Sequence, residues 1–162
     1  MITIRLATEL DLPAINDIYN QYVRTSLCTY QEEDATMDER REWFGHHGGR
    51  LPVTVSEMDD AVVGWGSLSM FRERSAYRFT VEDSVYVRHD QLGKGIGKAM
   101  LLDLISRART LQYKTIIAGC DSLQTASIAL HEKLGFERVA HFRQVGYKFD
   151  QWLDVIFLQY MV

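Results

Sequence analysis

Leu92-Gly93-Lys94-Gly95-Ile96-Gly97-Lys98 joins an extended segment directly to a helical one. Glycine carries no side chain, so backbone N–H groups in such a loop can approach an anion closely. The helix that follows adds its unpaired donors and the positive end of its dipole. Three alternating glycines flanked by lysines go beyond what a tight turn into a helix requires, and the chemistry they suit is pyrophosphate binding. The spacing excludes two nucleotide loops. A Walker A loop places four residues between its first glycine and Gly-Lys-Ser/Thr. Here three residues separate Gly93 from Gly97, and Ala99 follows Lys98. A dinucleotide fingerprint is Gly-x-Gly-x-x-Gly after the first strand of its domain. Here the pattern is Gly-x-Gly-x-Gly, and at least three strands come first.

Working outward, Thr80 to Val87 ends in the β-branched and aromatic run Ser84-Val85-Tyr86-Val87 and reads as a strand. After the loop, Ile96, Met100, Leu104, Ala108 and Leu111 recur at helical spacing, so a long amphipathic helix begins within it. Thr115 to Cys120 is a short apolar run suited to a buried strand. Thr125 to Leu134 reads as a helix, capped by Gly135 and followed by the apolar Phe136. Two strands, near 137–147 and 151–161, pair across a turn at Phe149-Asp150. Toward the N-terminus, Ile2, Ile4 and Leu6 alternate as in a half-buried strand. Thr8, Asp11 and Pro13 mark a helix start, and Leu12, Ile15, Ile18, Tyr19 and Tyr22 form its apolar stripe. Asp38 to Phe44 reads as a second short helix, and 51–57 with 61–70 as a hairpin around Met58-Asp59-Asp60. The order β-α-α-β-β-β-α-β-α-β-β predicts one α/β domain over 1–162, a mixed sheet with helices on both faces.

The bulk properties narrow the classes of function. The chain has 162 residues, enough for one well-buried core. Its net charge is −4 and its isoelectric point about 5.7, with no basic stripe of the kind a general nucleic-acid binder carries. No apolar run is long enough to cross a bilayer, and Met1-Ile2-Thr3-Ile4-Arg5 lacks the layout of a secretory signal, so a cytosolic location is expected. Cys28 and Cys120 fit no metal or redox spacing and read as reduced thiols, with Cys120 buried. His46, His47, His89 and His141 show no ligand spacing, and no metal is expected.

Three segments, Ser84-Val85-Tyr86-Val87, Gly93-Lys94-Gly95-Ile96-Gly97 and Leu130-His131-Glu132-Lys133-Leu134-Gly135-Phe136, resemble the GNAT acetyltransferase superfamily, and the resemblance extends over nearly the whole chain. Phe71-Arg72 through Tyr77, Thr80 to Val87 and Trp152-Leu153-Asp154-Val155 are similar to its phosphinothricin and methionine sulfoximine acetyltransferase branch. The resemblance implies a mostly antiparallel central sheet in which two parallel strands, about 80–87 and 115–120, splay apart to form the slot for acetyl-CoA. It implies that backbone groups of Val85, Tyr86 and Val87 bond the pantetheine arm. Gly93, Lys94, Gly95, Ile96, Gly97 and Lys98 would hold the pyrophosphate. The helix from Thr125, with Gln124 and Ser127, would border the pantetheine end. It also implies a homodimer with the final strands near the interface. Two residues depart from the pattern: Leu92 stands where the family usually has Gln or Arg, and Gln124 where the branch usually has Asn. The backbone donors matter more than the first, so cofactor binding is expected to survive. The longer reach of Gln124 is expected to weaken one cofactor contact.

The same resemblance assigns chemistry. An amine attacks a thioester only when deprotonated, so the site needs a base, and Glu82 occupies that position. The competing reading is a carboxylate on a solvated strand face. Asp83 is expected to point to the opposite face. His131 stands where many members carry a tyrosine that protonates the leaving thiolate; imidazolium can serve, or the ring can simply pack beside the cofactor. The oxyanion would meet strand N–H groups near Val85. Arg72 suits a substrate carboxylate, against the reading of a solvated loop arginine, and Tyr77 suits a pocket wall. The expected activity is direct acetyl transfer from acetyl-CoA to the amino group of a small amino-acid-like molecule. The alternatives are a protein or peptide N-acetyltransferase and a CoA-binding regulatory module without chemistry.

Overall fold

In the computed structural model, which describes residues 1–162, the alternating segments assemble into one seven-stranded sheet. The strands are β1 (Thr3–Leu6), β2 (Val53–Met58), β3 (Ala61–Met70), β4 (Thr80–Val87), β5 (Thr115–Asp121), β6 (Glu137–Lys148) and β7 (Gln151–Met161). Their spatial order is β1-β2-β3-β4-β5-β7-β6. Every neighbouring pair is antiparallel except β4 and β5. The helices are α1 (Leu12–Thr25), α2 (Met37–Gly45), α3 (Ile96–Thr110) and α4 (Thr125–Lys133). None is long and apolar enough to cross a membrane.

Two apolar layers hold the helices to the sheet. On one face, Leu101, Leu104, Ile105 and Ala108 of α3 and Ile128 of α4 pack on Leu68, Val81, Ile116, Ala118, Ile156 and Leu158. On the other, Leu12, Ile15, Ile18 and Tyr22 of α1 cover Val53, Val55 and Trp65, with Met37, Trp43 and Phe44 of α2 against the same cluster. The α1 stripe and the Ile96-Met100-Leu104-Ala108 stripe are therefore the core faces that their spacing predicts. Asp11 ties the start of α1 to β1. Its carboxylate accepts from the Thr8 backbone at 2.7 Å and from both arms of the Arg5 guanidinium at 2.8 Å. The Arg5 bond, with those from Thr8, holds its pKa down to about 2.

The element order agrees with the sequence reading, and the differences are local. A single 3₁₀ turn, Glu9–Asp11, precedes α1. β2 begins at Val53 rather than Leu51, because Leu51 bridges back to Gly48 and Pro52 has no N–H to give a ladder. α4 stops at Lys133, one residue early, where Gly135 turns the chain at φ 99°. Leu6 is exposed, since β1 is an edge strand whose end leaves the core. The β2–β3 turn works through Asp59 and Asp60, both left-handed, the geometry a two-residue hairpin needs.

The feature that makes a site is the parallel pair. Thr80, Val81 and Glu82 pair with Thr115, Ile116 and Ile117, and there the pairing ends. β4 continues to Val87, held only by β3, and β5 continues to Asp121, held only by β7. The two strands diverge in a wedge, and the edge of Asp83–Val87 that faces β5 has no strand partner. Backbone donors and acceptors left this way call for another partner.

Candidate active site

The wedge opens into a cleft of about 640 Å³. Val85, Tyr86 and Val87 form one wall, Ala118 to Asp121 the other, and Ser127 and His131 of α4, with Gln124 just before it, close it. Gly93, Gly95, Ile96, Gly97 and Lys98 line its far end, at the start of α3. The residues expected to hold acetyl-CoA thus share one cavity, with one exception. Lys94 does not line it: its Nζ donates to Gln91 Oε1 at 2.7 Å, so its side chain braces the loop. Gly93 and Gly95 sit at φ 77° and 82°, and a Cβ at either would meet open space within 4 Å. The requirement there is conformational. Gly97 has an ordinary φ; its lack of a side chain keeps the helix start open beside Val87 and Leu130.

These features fit acetyl-CoA. The left-handed turns aim backbone N–H groups outward at a helix N-terminus, which suits the pyrophosphate. The unpaired β4 edge suits an amide-bearing arm laid alongside it as an added strand would be. Leu92 is exposed and borders the cleft without a polar group to offer. Gln124 Oε1 accepts from Cys28 Sγ at 3.0 Å, which leaves its amide nitrogen as the group free to donate.

β4 alternates, so Glu82 and Asp83 face opposite sides of the sheet, as expected. Asp83 turns toward α4. Its side chain is 2% exposed, and its Oδ2 lies 2.9 Å from His131 Nε2. His131 Nδ1 lies 2.8 Å from the Ser127 carbonyl, which can only accept, so Nδ1 carries a proton. Burial opposes a charge on this ring. The Asp83 carboxylate and the Ser127 carbonyl outweigh it, and the pKa lies above the ordinary histidine value. Asp83 Oδ1 is buried with no partner. The sequence reading assigned Asp83 no role; the signal for it was the alternation itself, which aims Asp83 at the helix that carries His131.

Glu82 lies on the other face, in register with Ser69 and two residues from Ser84. It is half-buried and makes no hydrogen bond. Burial, then the nearby Asp83 charge, push its pKa up, and the Arg72 charge partly opposes them. Arg72 is close enough to act on Glu82 electrostatically, but neither Arg72 nor Tyr77 lines the cleft. Arg72 stacks over Phe71, 5.1 Å from the ring centroid, and over Tyr77 at 5.8 Å. The two mark the Glu82 end of the site and stand apart from the cofactor groups.

A second cavity, of about 440 Å³, lies on the Glu82 face beneath α1 and α2. Ser84 and Tyr86 border both cavities, so this stretch of β4 is the wall between them. The sequence reading missed this cavity. Its polar centre, Arg40, comes from a helix with only one fully buried side chain, which periodicity does not single out.

Comparison with known proteins agrees with this geometry. Residues 13–136 match the Acetyltransferase (GNAT) family. The phosphinothricin N-acetyltransferase of Alcaligenes faecalis is 39% identical over 161 residues, 97% of this chain and 81% of that protein. The L-methionine sulfoximine/L-methionine sulfone acetyltransferase of Salmonella typhimurium is 39% identical over 98% of this chain and 93% of its own length. The crystal structure of a GNAT superfamily phosphinothricin acetyltransferase from Sinorhizobium meliloti in complex with AcCoA superposes with a TM-score of 0.96. It is 38% identical, covering 99% of this chain and 88% of that one. With the wedge between β4 and β5, the glycine loop at the start of α3 and near full-length similarity all in agreement, the chain belongs to the GNAT acetyltransferase family and is an N-acetyltransferase that uses acetyl-CoA.

Proposed function

We propose that the enzyme acetylates the α-amino group of a small amino acid with an oxygen-rich head group, of the phosphinothricin, methionine sulfoximine or methionine sulfone type. The observation that carries this reading is a half-buried Glu82 side chain with no hydrogen bond, near enough to Arg72 to feel its charge. Near full-length relatives named for those substrates support the same class. Acetyl-CoA supplies the acetyl group as a thioester. Glu82 takes a proton from the incoming ammonium, and its raised pKa brings it closer to that task than an exposed carboxylate. Arg72 receives the substrate carboxylate, and Tyr77 stacks behind Arg72. Strand N–H groups at Val85 hold the developing oxyanion. His131 borders the cleft and Asp83 favours its charged form, but Nε2 is bonded to Asp83 and Nδ1 to Ser127, so the ring returns a proton to the departing sulfur only by leaving one of those two partners.

Transfer is direct. Cys120 borders the cleft, but burial pushes its thiol up to about 11, so it stays protonated and is a poor acetyl acceptor at neutral pH. We also propose that the protein acts as a homodimer in the cytosol. Val139, Phe142, Val145, Tyr147, Phe149 and Trp152 leave an apolar surface on the edge strand β6 and its turn into β7. Two free cysteines suit a reducing compartment. Light scattering coupled to size exclusion should give twice the 18.7 kDa chain mass; a monomer at all concentrations contradicts the dimer.

The deciding assay is thiol release from acetyl-CoA with methionine sulfoximine, methionine sulfone, phosphinothricin, ordinary amino acids and N-terminal peptides as acceptors. Turnover on the first three supports the reading. Turnover on peptides alone favours a protein N-acetyltransferase. Acetyl-CoA binding with no acceptor consumed favours a regulatory module.

A further inference from the structure

The second cavity contains a charge that the protein does not neutralise. Arg40 is 5% exposed. Its Nε donates to Asn16 Oδ1 at 3.1 Å, while its two terminal nitrogens have no protein partner and no carboxylate pairs with it. Three rings surround the guanidinium, with centroids 4.6 Å (Tyr19), 4.7 Å (Trp43) and 5.7 Å (Trp65) away. Rings offset part of the cost of burying a cation, but they do not accept its in-plane N–H groups. Burial accordingly lowers the Arg40 pKa. Trp65 lines the same cavity, and its Nε1 is buried without a partner. Ser67 and Ser84 add hydroxyls. Two guanidinium nitrogens and an indole N–H have no acceptor, and the one carboxylate on the cavity wall, Glu39, is bonded to Thr36, so the site favours an acceptor-rich occupant.

The position of the cavity says which occupant. Ser69 and Ser84 line it, and Ser69 pairs with Glu82 across the β3–β4 ladder. From the Glu82 rung to the Trp65–Tyr86 rung is about 13 Å along the strand. Arg40 lines the cavity, and Glu82, on the same face of the sheet, stands beside it without lining it. For an amino acid whose amine meets Glu82, the cavity bordered by Ser69 and Ser84 lies on the same face of the sheet and can take its side chain. We propose that the Arg40–Trp65 cavity is the subsite for the substrate's head group, and that it selects tetrahedral sulfonyl, sulfoximine or phosphinyl oxygens over an apolar side chain of the same length. This rests on the small amino-acid reading above and names what makes such substrates preferred.

The test compares methionine sulfone with methionine, which share a carbon skeleton and differ by two sulfonyl oxygens. In Arg40→Gln, kcat/KM for the sulfone should fall by about tenfold or more, mainly through KM, the size expected for loss of a charge-assisted hydrogen bond. Methionine should change far less, and Arg40→Lys should recover part of the sulfone activity. Equal losses on both substrates in Arg40→Gln and Arg40→Lys, with acetyl-CoA affinity intact, would make Arg40 a structural plug and overturn the proposal. Calorimetry with methionine sulfone and methionine, in the presence of CoA, separates this from failure of the activity reading. Preferential binding of the sulfone by the wild type, lost in Arg40→Gln, upholds the subsite even if neither compound is acetylated. No preference in the wild type overturns it.

Discussion

The two faces of β4 treat buried charge in opposite ways. Toward α4, Asp83 and His131 complete each other at 2.9 Å, and Ser127 fixes the second ring nitrogen. Toward α1 and α2, the Glu82 side chain has no hydrogen bond and Arg40 has no ion pair, with Glu39 acting on it only through space. A paired charge is set in advance: its protonation state and direction exist before any ligand arrives. An unpaired charge in a cavity is costly in the free protein and gains most when a ligand supplies the missing partner. The first face therefore suits the cofactor, which is the same in every turnover. The second suits the acceptor, which must be selected.

The largest break in this contrast should come from Glu82→Gln, which keeps the shape and removes the proposed base. A loss of about 10²–10⁴ in kcat is expected with acetyl-CoA affinity unchanged, read from steady-state rates and calorimetry. Asp83→Asn should cost about ten- to a hundredfold in kcat, as loss of a hydrogen bond to a charged group. It also carries a sign. Asp83 raises the His131 pKa, so its removal moves the alkaline limb of kcat to lower pH. The folded His131 pKa lies above the unfolded value. The stability this provides is fully present below about 6.5 and is lost as pH rises through the raised value. The gap in thermal midpoint between wild type and Asp83→Asn should accordingly be wider in mildly acidic buffer than in alkaline buffer. The glycine loop offers the same kind of contrast on a smaller scale. Gly95→Ala places a side chain at φ 82° and should cost about 1 kcal/mol of stability in a denaturant titration. Gly97→Ala meets only ordinary contacts at 3.6 and 3.8 Å and should leave stability nearly unchanged while weakening acetyl-CoA binding.

Much of the cofactor side was legible in the sequence because it is local. The loop from Gly93 to Gly97, the strand before it and the helix after it are contiguous, and glycine spacing encodes backbone geometry directly. The wedge needed the structure: nothing in Thr80–Val87 or Thr115–Cys120 alone says that pairing stops at Glu82 and Ile117. Lys94 shows the limit of reading side chains from a motif, since its position fits the loop while its Nζ turns to Gln91. Arg40 was hidden for a different reason. α2 carries Arg40, Trp43 and Phe44 among acidic residues, and whether that arginine is solvated or buried depends on Tyr19 and Trp65, which lie far away in sequence.

The pH dependence of kcat/KM with methionine sulfone, for wild type and Glu82→Gln, decides whether the half-buried carboxylate proposed as base takes the proton from the amine. The wild type should show an acid limb that titrates above the ordinary carboxylate range, because burial raises Glu82, and the variant a far lower profile without that limb. A Glu82→Gln enzyme that keeps both the rate and the acid limb would contradict that role for Glu82.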